Sequence, residues 1–185
     1  PEMPGNNWHQ DEYAIPTRDR SLTAAWIAID DSTLKNGCLW VIPGSHQKGY
    51  LYPKHNHGEY DDYDYAESAF GFNESDKIPV PMKAGDVLFF NGYLLHKSEK
   101  NCTDRYRRAL ALHYMNSFSL LPWDNPGDEA IAMHDYRKVI QVSGDDPYKW
   151  KGYEEPPKEI LLRNCKILSN KNDNNVFFRK TDASK

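Results

Sequence analysis

The 185 residues include 39% hydrophobic and 27% charged side chains, with a formal charge of −4 and a pI near 6.0. This composition is typical of a globular protein rather than a disordered one, and it offers no basic surface for nucleic acid. The longest apolar stretches, such as LTAAWIAI at 22–29, are too short to cross a bilayer, so we expect no membrane insertion. Three cysteines without C-x-x-C spacing argue against a disulfide framework and a structural zinc site, which predicts a reduced, cytoplasmic (intracellular) protein.

Short runs rich in aromatic and branched residues, separated by turn residues, predict β-strands over the first two thirds of the chain. In chain order they are SLTAAWIAID (21–30), CLWVI (38–42), VLFF (87–90) and RALALHYM (108–115). No amphipathic helix separates them, which favours a sandwich or barrel over an alternating α/β sheet. The acidic, aromatic segment at 58–76 has no clean period and is interpreted as a solvated loop, where binding residues often collect.

The composition changes beyond Trp123. The segment EAIAMHDYRKVIQV predicts a helix over about 128–143, which Asp128 begins and Gly144 ends. The polar tract NKNDNN at 170–175 predicts a loose tail. A chain of this length suits one core, so we expect a single domain over 1–165, including that helix, and a polar tail at 166–185.

One candidate metal ligand pair lies in WHQDEY, where His9 and Asp11 share a face if the segment is extended. About one His-x-acid tripeptide is expected by chance in this composition, so the pair alone suggests a surface histidine beside a carboxylate. His96, at the end of the apolar run NGYLLH, could supply a second imidazole. Two histidines and one carboxylate form the ligand set of non-haem Fe(II) oxygenases, which leaves three metal positions open.

The Arg107–Arg108 pair could supply a cation beside such a site. Two of the open metal positions suit a 2-oxo acid, whose far carboxylate would need a guanidinium to bind it. The other interpretation is that both arginines lie on a solvated strand edge. The alternation of side chains along the strand does not show which of the two arginines points inward. The apolar residues on the face of Arg108 favour a buried Arg108. Arg108 shares its face with Leu110, Leu112 and Tyr114, and Arg107 shares the other with Ala109, Ala111 and His113.

Six motifs, in the same order and at similar spacing, resemble the phytanoyl-CoA dioxygenase family and especially its phytanoyl-CoA dioxygenase domain-containing members. The likeness covers roughly residues 6–116, and GDDPYKWKG at 144–152 is similar to a C-terminal element of bacterial relatives. The resemblance implies a mainly β fold, a double-stranded β-helix (cupin-like jelly roll) with a C-terminal helical segment. The family has a substantial segment before H-x-D, so the chain is expected to lack an N-terminal part. The motifs are WHQDEY, TAAWIAIDD, NGCLWVIPGSHQKG, AGDVLFF, HKSEKN and RRALALHYM.

The resemblance also implies a site for Fe(II) and 2-oxoglutarate. Its metal ligands fall on His9, Asp11 and His96. The arginine that binds the 5-carboxylate of 2-oxoglutarate falls on Arg107, which overrules the apolarity argument for Arg108. A hydroxyl that shares this carboxylate falls on Ser98, and a tryptophan that lines the cosubstrate pocket falls on Trp26.

The implied function is a dioxygenase that uses Fe(II), 2-oxoglutarate and O2 to hydroxylate an unactivated C–H bond of a small organic substrate, with succinate and CO2 as coproducts. No catalytic side chain is expected beyond the metal ligands, and the carboxylate of Asp11 disfavours halogenation. The alternatives are a jelly-roll divalent-metal (Zn) enzyme and a non-catalytic small-molecule-binding module. A 2-oxoglutarate clamp argues against the first, and a complete ligand set against the second. His113 is interpreted as a packed core residue.

Overall fold

A computed structural model describes residues 4–56, 67–119 and 139–151. Within these ranges the regular structure consists of β-strands and short 3-10 turns, without an α-helix, and no helix there has the length and hydrophobicity of a membrane span. The 3-10 turns are Asp11–Tyr13, Ser45–Lys48, Glu74–Asp76 and Lys149–Lys151. The strands are β1 (Asn6–His9), β2 (Thr23–Ala28), β3 (Leu39–Val41), β4 (Lys54–Asn56), β5 (Glu67–Ala69), β6 (Ile78–Val80), β7 (Val87–Asn91), β8 (His96–Ser98) and β9 (Ala109–Tyr114).

The strands form antiparallel sheets, and the chain passes repeatedly between the two larger ones. The four-stranded sheet has the order β1-β8-β3-β6, the three-stranded sheet has the order β7-β2-β9, and β4 pairs with β5. Thus β1, β3, β6 and β8 lie in one sheet, while β2, β7 and β9, which alternate with them along the chain, lie in the other. This arrangement confirms the mainly β class and brings distant segments side by side.

The four strands predicted from aromatic and branched runs are confirmed as β2, β3, β7 and β9. The interpretation of 58–76 as a loop is wrong for Glu67–Ala69, which pairs with Lys54–Asn56 as a strand. Ala69 is buried there against Trp8 and Tyr52. Local composition missed this strand because pairing and packing with distant residues stabilise it. The helix predicted over about 128–143 lies outside the described residues as far as 138, and 139–143 show no helical structure. The tail at 166–185 also lies outside them.

The space between the two larger sheets is filled on one side by an apolar cluster. Trp26 and Ala28 from β2 pack there with Leu39 from β3 and with Met82. The contact across the sheets holds the two layers together, and burial of such side chains stabilises the fold by about 1.5–3 kcal/mol for each large residue. A cavity occupies the remaining space between the sheets.

Candidate metal centre

A cavity of about 490 Å³ lies between the two larger sheets, and all six residues of the predicted site line it. These six are His9, Asp11, His96, Arg107, Ser98 and Trp26. Strands β1 and β8 supply one wall, while β2, β7 and β9 supply the other. The structure thus brings the six residues together, and the role of each stays a prediction at this point.

The two imidazoles meet because β1 pairs with β8. His9 lies opposite His96 in the antiparallel register, and their ring centroids are 4.1 Å apart. Between the paired positions Asn6↔Ser98 and His9↔His96, β1 has one residue more than β8, which is a β-bulge. Bulges turn side chains away from strict alternation and occur often beside functional sites. This bulge lets His9 point into the cavity at the end of its strand.

Asp11 reaches the two imidazoles from the 3-10 turn that follows β1. Its Oδ1 lies 3.6 Å from Nε2 of His9 and 3.6 Å from Nε2 of His96. The ligand atoms of the three residues lie within 4.8 Å of one another. Two atoms bound to one ion at about 2.1 Å each can be at most about 4.2 Å apart, so the carboxylate oxygen is within range of a metal shared with either imidazole. The donor set fits a divalent metal ion.

Backbone hydrogen bonds aim the ligand nitrogen of each histidine. His9 Nδ1 lies 2.6 Å from the carbonyl oxygen of Asn7, and His96 Nδ1 lies 2.9 Å from that of Leu94. A carbonyl oxygen only accepts, so each Nδ1 carries the proton and each Nε2 keeps a lone pair for a metal. Burial, together with the neighbouring His96, lowers the pKa of His9 to about 4. The imidazole of His9 is therefore neutral near pH 7, as a metal ligand must be.

The carboxyl group of Asp11 is held in its charged form. Burial opposes ionisation, but a hydrogen bond from His113 and the adjacent imidazoles outweigh it, and the net pKa of Asp11 lies below its usual value. The negative charge of this carboxylate complements a dication in a partly buried site.

The two arginines face opposite sides of the three-stranded sheet. Arg108 is exposed, and its Nε and Nη2 each donate to the carboxylate of Asp30 at 2.8 Å. Both arginines are among the residues that line the cavity, but Arg107 is half-buried, whereas the guanidinium of Arg108 is held by Asp30. The apolarity argument for Arg108 is wrong, because Leu110 and Tyr114 on its face are 47% and 42% exposed. The inward face instead carries small alanines, which leave space for the cavity.

Ser98 and Trp26 form parts of the cavity wall near Arg107. Ser98 is buried, and its Oγ accepts a hydrogen bond from the backbone N–H of Asn6 at 3.0 Å. The hydroxyl hydrogen of Ser98 is thereby left to donate to a ligand. Trp26 packs in the apolar cluster between the sheets and also lines the cavity.

His113 is a site residue that the sequence interpretation missed, because it placed this histidine in the packed core. The side chain is half-buried, lines the cavity and has Nε2 3.1 Å from Oδ2 of Asp11. The alternation of side chains along the strand could have identified it, because His113 lies on the same strand face as Arg107.

Gln10, the middle residue of H-x-D, was also missed. Its side chain is 3% exposed, and its amide donates to the carbonyl oxygens of Tyr50 and Tyr93 at 3.2 and 2.7 Å. Its Oε1 accepts from the backbone N–H of Tyr52 at 2.7 Å. Gln10 thus ties the turn that carries Asp11 to two neighbouring segments. Gln10 lies between two residues that face the cavity, and this position could have predicted that its own side chain points away from the cavity and holds the turn in place.

Comparison with known proteins identifies the family. The family model described as Phytanoyl-CoA dioxygenase (PhyH) matches residues 1–109. A phytanoyl-CoA dioxygenase of Arabidopsis thaliana is 38% identical over 109 residues, which cover 59% of this chain and 38% of the relative. The peroxisomal phytanoyl-CoA dioxygenase of Rattus norvegicus is 34% identical over 161 residues, 77% of this chain and 45% of the relative. The chain thus spans less than half the length of these relatives.

Solved structures show the same likeness. EvdO2 from Micromonospora carbonacea var. aurantiaca is 30% identical, with a TM-score of 0.52 over 62% of this chain and 48% of that protein. EvdO2 complexed with 2-oxoglutarate is 29% identical with the same TM-score, over 62% of this chain and 48% of that one. Since the family model matches 109 of the 185 residues, the chain belongs to the phytanoyl-CoA dioxygenase family.

Proposed function

We propose that this chain carries the metal and cosubstrate site of an Fe(II)- and 2-oxoglutarate-dependent dioxygenase. The reaction would convert a small organic substrate R–H, 2-oxoglutarate and O2 into R–OH, succinate and CO2. The single observation that carries the proposal is that His9, Asp11, His96 and Arg107 line one cavity. The names of the relatives and the 2-oxoglutarate complex of EvdO2 support it.

His9, Asp11 and His96 would hold the iron, because two imidazole nitrogens and a carboxylate oxygen converge there. Bound Fe(II) would supply the activation of dioxygen, coupled to decarboxylation of 2-oxoglutarate, that allows an unactivated C–H bond to be oxidised. The side chains contribute by binding, orienting and excluding water. The cavity walls at Trp26, Leu39 and Phe90 are apolar and would keep bulk water away from the reacting groups.

Arg107 would receive the 5-carboxylate of 2-oxoglutarate. A guanidinium stays charged at every physiological pH and meets a carboxylate through two parallel hydrogen bonds. The hydroxyl of Ser98 would donate a further hydrogen bond to the same carboxylate. Hydrogen bonds to charged groups contribute about 1.5–3 kcal/mol each, so the clamp would set both the affinity for the diacid and its orientation toward the metal.

The fold proposal is that the two larger sheets are the two halves of a double-stranded β-helix. The alternation of the chain between the sheets and the cavity between them support it. The single domain would extend over 1–165.

The test is anaerobic titration of 2-oxoglutarate into the chain loaded with Fe(II). Removing the clamp with Arg107→Leu is expected to weaken binding about 10- to 100-fold, which corresponds to about 1.4–2.8 kcal/mol. The matched control is Arg108→Leu, which removes the neighbouring arginine, whose exposed guanidinium is paired with Asp30, and it should leave the affinity unchanged. Equal affinities of the two variants would overturn the cosubstrate assignment.

Aerobic incubation of the full-length protein with Fe(II), 2-oxoglutarate and candidate substrates, followed for succinate, tests the reaction itself. We expect Asp11→Gly to abolish succinate formation, and full turnover by this variant would remove Asp11 from the metal ligands. Binding of Zn²⁺ without 2-oxoglutarate would favour the divalent-metal enzyme. Binding of neither metal nor 2-oxoglutarate would favour the binding module.

A further inference from the structure

We propose that His113 is a positioning residue that keeps Asp11 a one-oxygen metal ligand. The inference rests on the metal site of the proposed function and adds a residue to it. The two oxygens of the Asp11 carboxylate have different partners. Oδ1 faces the imidazoles of His9 and His96 at 3.6 Å each, whereas Oδ2 lies 3.1 Å from Nε2 of His113.

The fold brings His113 to this place from the sheet opposite Asp11. His113 lies on β9 in register with Ala24 of β2, on the strand face that lines the cavity. Its neighbours on that wall, Ala24 and Ala111, are small and leave the imidazole room to reach across the gap. The contact therefore joins the three-stranded sheet to the turn that follows β1.

Without this contact, the orientation of the carboxylate would be poorly defined. The backbone around Asp11 is held by its carbonyl oxygen, which accepts from the N–H groups of Ala14 and Ile15. The terminal torsion of an aspartate side chain is broad and roughly two-fold, so a fixed backbone does not decide which oxygen faces the metal. A hydrogen bond from Nε2 of His113 to Oδ2 of Asp11 does decide it.

The orientation matters because a carboxylate can bind a metal through one oxygen or two. With two imidazoles and one oxygen, an octahedral ion keeps three open positions, which suffice for a chelating 2-oxo acid and dioxygen. A second oxygen from Asp11 would take one of these positions. By holding Oδ2 away from the metal, His113 would keep that position available for the cosubstrate.

The experiment uses Co(II) as a spectroscopic probe of the full chain, in the absence of oxygen. His113→Leu removes the donor, His113→Phe removes it while keeping a ring in the space, and His113→Gln retains an N–H donor. The matched control is His55→Leu, because His55 is exposed on β4 and lies outside the residues that line the cavity. Thermal unfolding identifies the variants that fold, and His113→Phe replaces His113→Leu if the latter does not.

Two measurements decide the proposal. In the variants without a donor, we expect the affinity for 2-oxoglutarate to fall about tenfold. The affinity for Co(II) should fall less than this, because the second oxygen of Asp11 would then also be able to bind the ion. The visible Co(II) spectrum before 2-oxoglutarate is added should also differ from that of the wild type, and His113→Gln should restore it. An equal loss of both affinities, or an unchanged spectrum, would overturn the proposal. A wild-type chain that binds Co(II) but no 2-oxoglutarate would instead overturn the proposed function, and the spectra alone would then decide the role of His113.

Discussion

Replacement of Gln10 by alanine should strongly destabilise the protein. The buried amide of Gln10 makes three hydrogen bonds, all to backbone groups of other segments. Gln10→Ala would leave the carbonyl oxygens of Tyr50 and Tyr93 and the N–H of Tyr52 without this partner. The same change would loosen the turn that carries Asp11.

The size of the expected destabilisation follows from the number of buried polar groups that lose their hydrogen-bond partner. A buried polar group without its partner costs about 1–3 kcal/mol. Water that enters the vacated space would recover part of this cost, so we expect a total loss of about 3–6 kcal/mol. This loss is large compared with the free energy of unfolding of a typical protein, which is about 5–15 kcal/mol. Weaker binding of Co(II) should accompany the loss of stability.

Denaturant unfolding of the metal-free chain measures the loss, with Gln47→Ala as the control because Gln47 is exposed in a nearby turn. Gln10→Glu provides a second comparison. Its carboxylate can still accept from Tyr52, but at neutral pH it would place negative charge against two carbonyl oxygens. We therefore expect Gln10→Glu to be less stable, relative to the wild type, at pH 7 than at acidic pH. A stability of Gln10→Ala within about 1 kcal/mol of Gln47→Ala would refute the reasoning.

Two further predictions concern pH and backbone packing. The metal-free protein should lose stability as the pH falls from 6.5 toward about 4, because His9 is neutral in the folded chain over this range and protonated in the unfolded one. At about 1.4 kcal/mol per pH unit the loss is at most about 3 kcal/mol, and denaturant unfolding of His9→Phe should lack this component. Gly37→Ala should destabilise far more than Gly85→Ala. Both glycines have positive φ, but a Cβ at Gly37 would overlap the carbonyl oxygen of Glu99, whereas nothing lies within 4 Å of one at Gly85. Equal melting temperatures of these two variants would contradict the close approach at Gly37.

Much of the strand structure was predictable because alternation and turn residues are local signals. The run TAAWIA is apolar at nearly every position, and it became the central strand of the three-stranded sheet, paired on both sides. The segment at 67–69 was not predictable in the same way. Its strand depends on pairing with Lys54–Asn56, and nothing in the acidic composition around it signals that partner.

The resemblance predicted which residues form the candidate site, but not their geometry. Alternation shows that Arg107 and His113 share one face of β9 and Arg108 the other. Alternation does not show which face points toward the second sheet. The apolar residues that share a face with Arg108 wrongly predicted that this face points inward. The inward face must leave a cavity, so it carries alanines, while the outward face carries Leu110 and Tyr114.

By itself, the amino-acid sequence determined the strand-forming segments, the shared face of Arg107 and His113, and the close spacing of His9 and Asp11. These properties depend on neighbours along the chain. The tertiary structure alone decided that His96 lies opposite His9 and that His113 reaches Asp11 from the facing sheet. Those contacts depend on the register of β1 with β8 and on the packing of one sheet against the other, which join residues far apart in the chain.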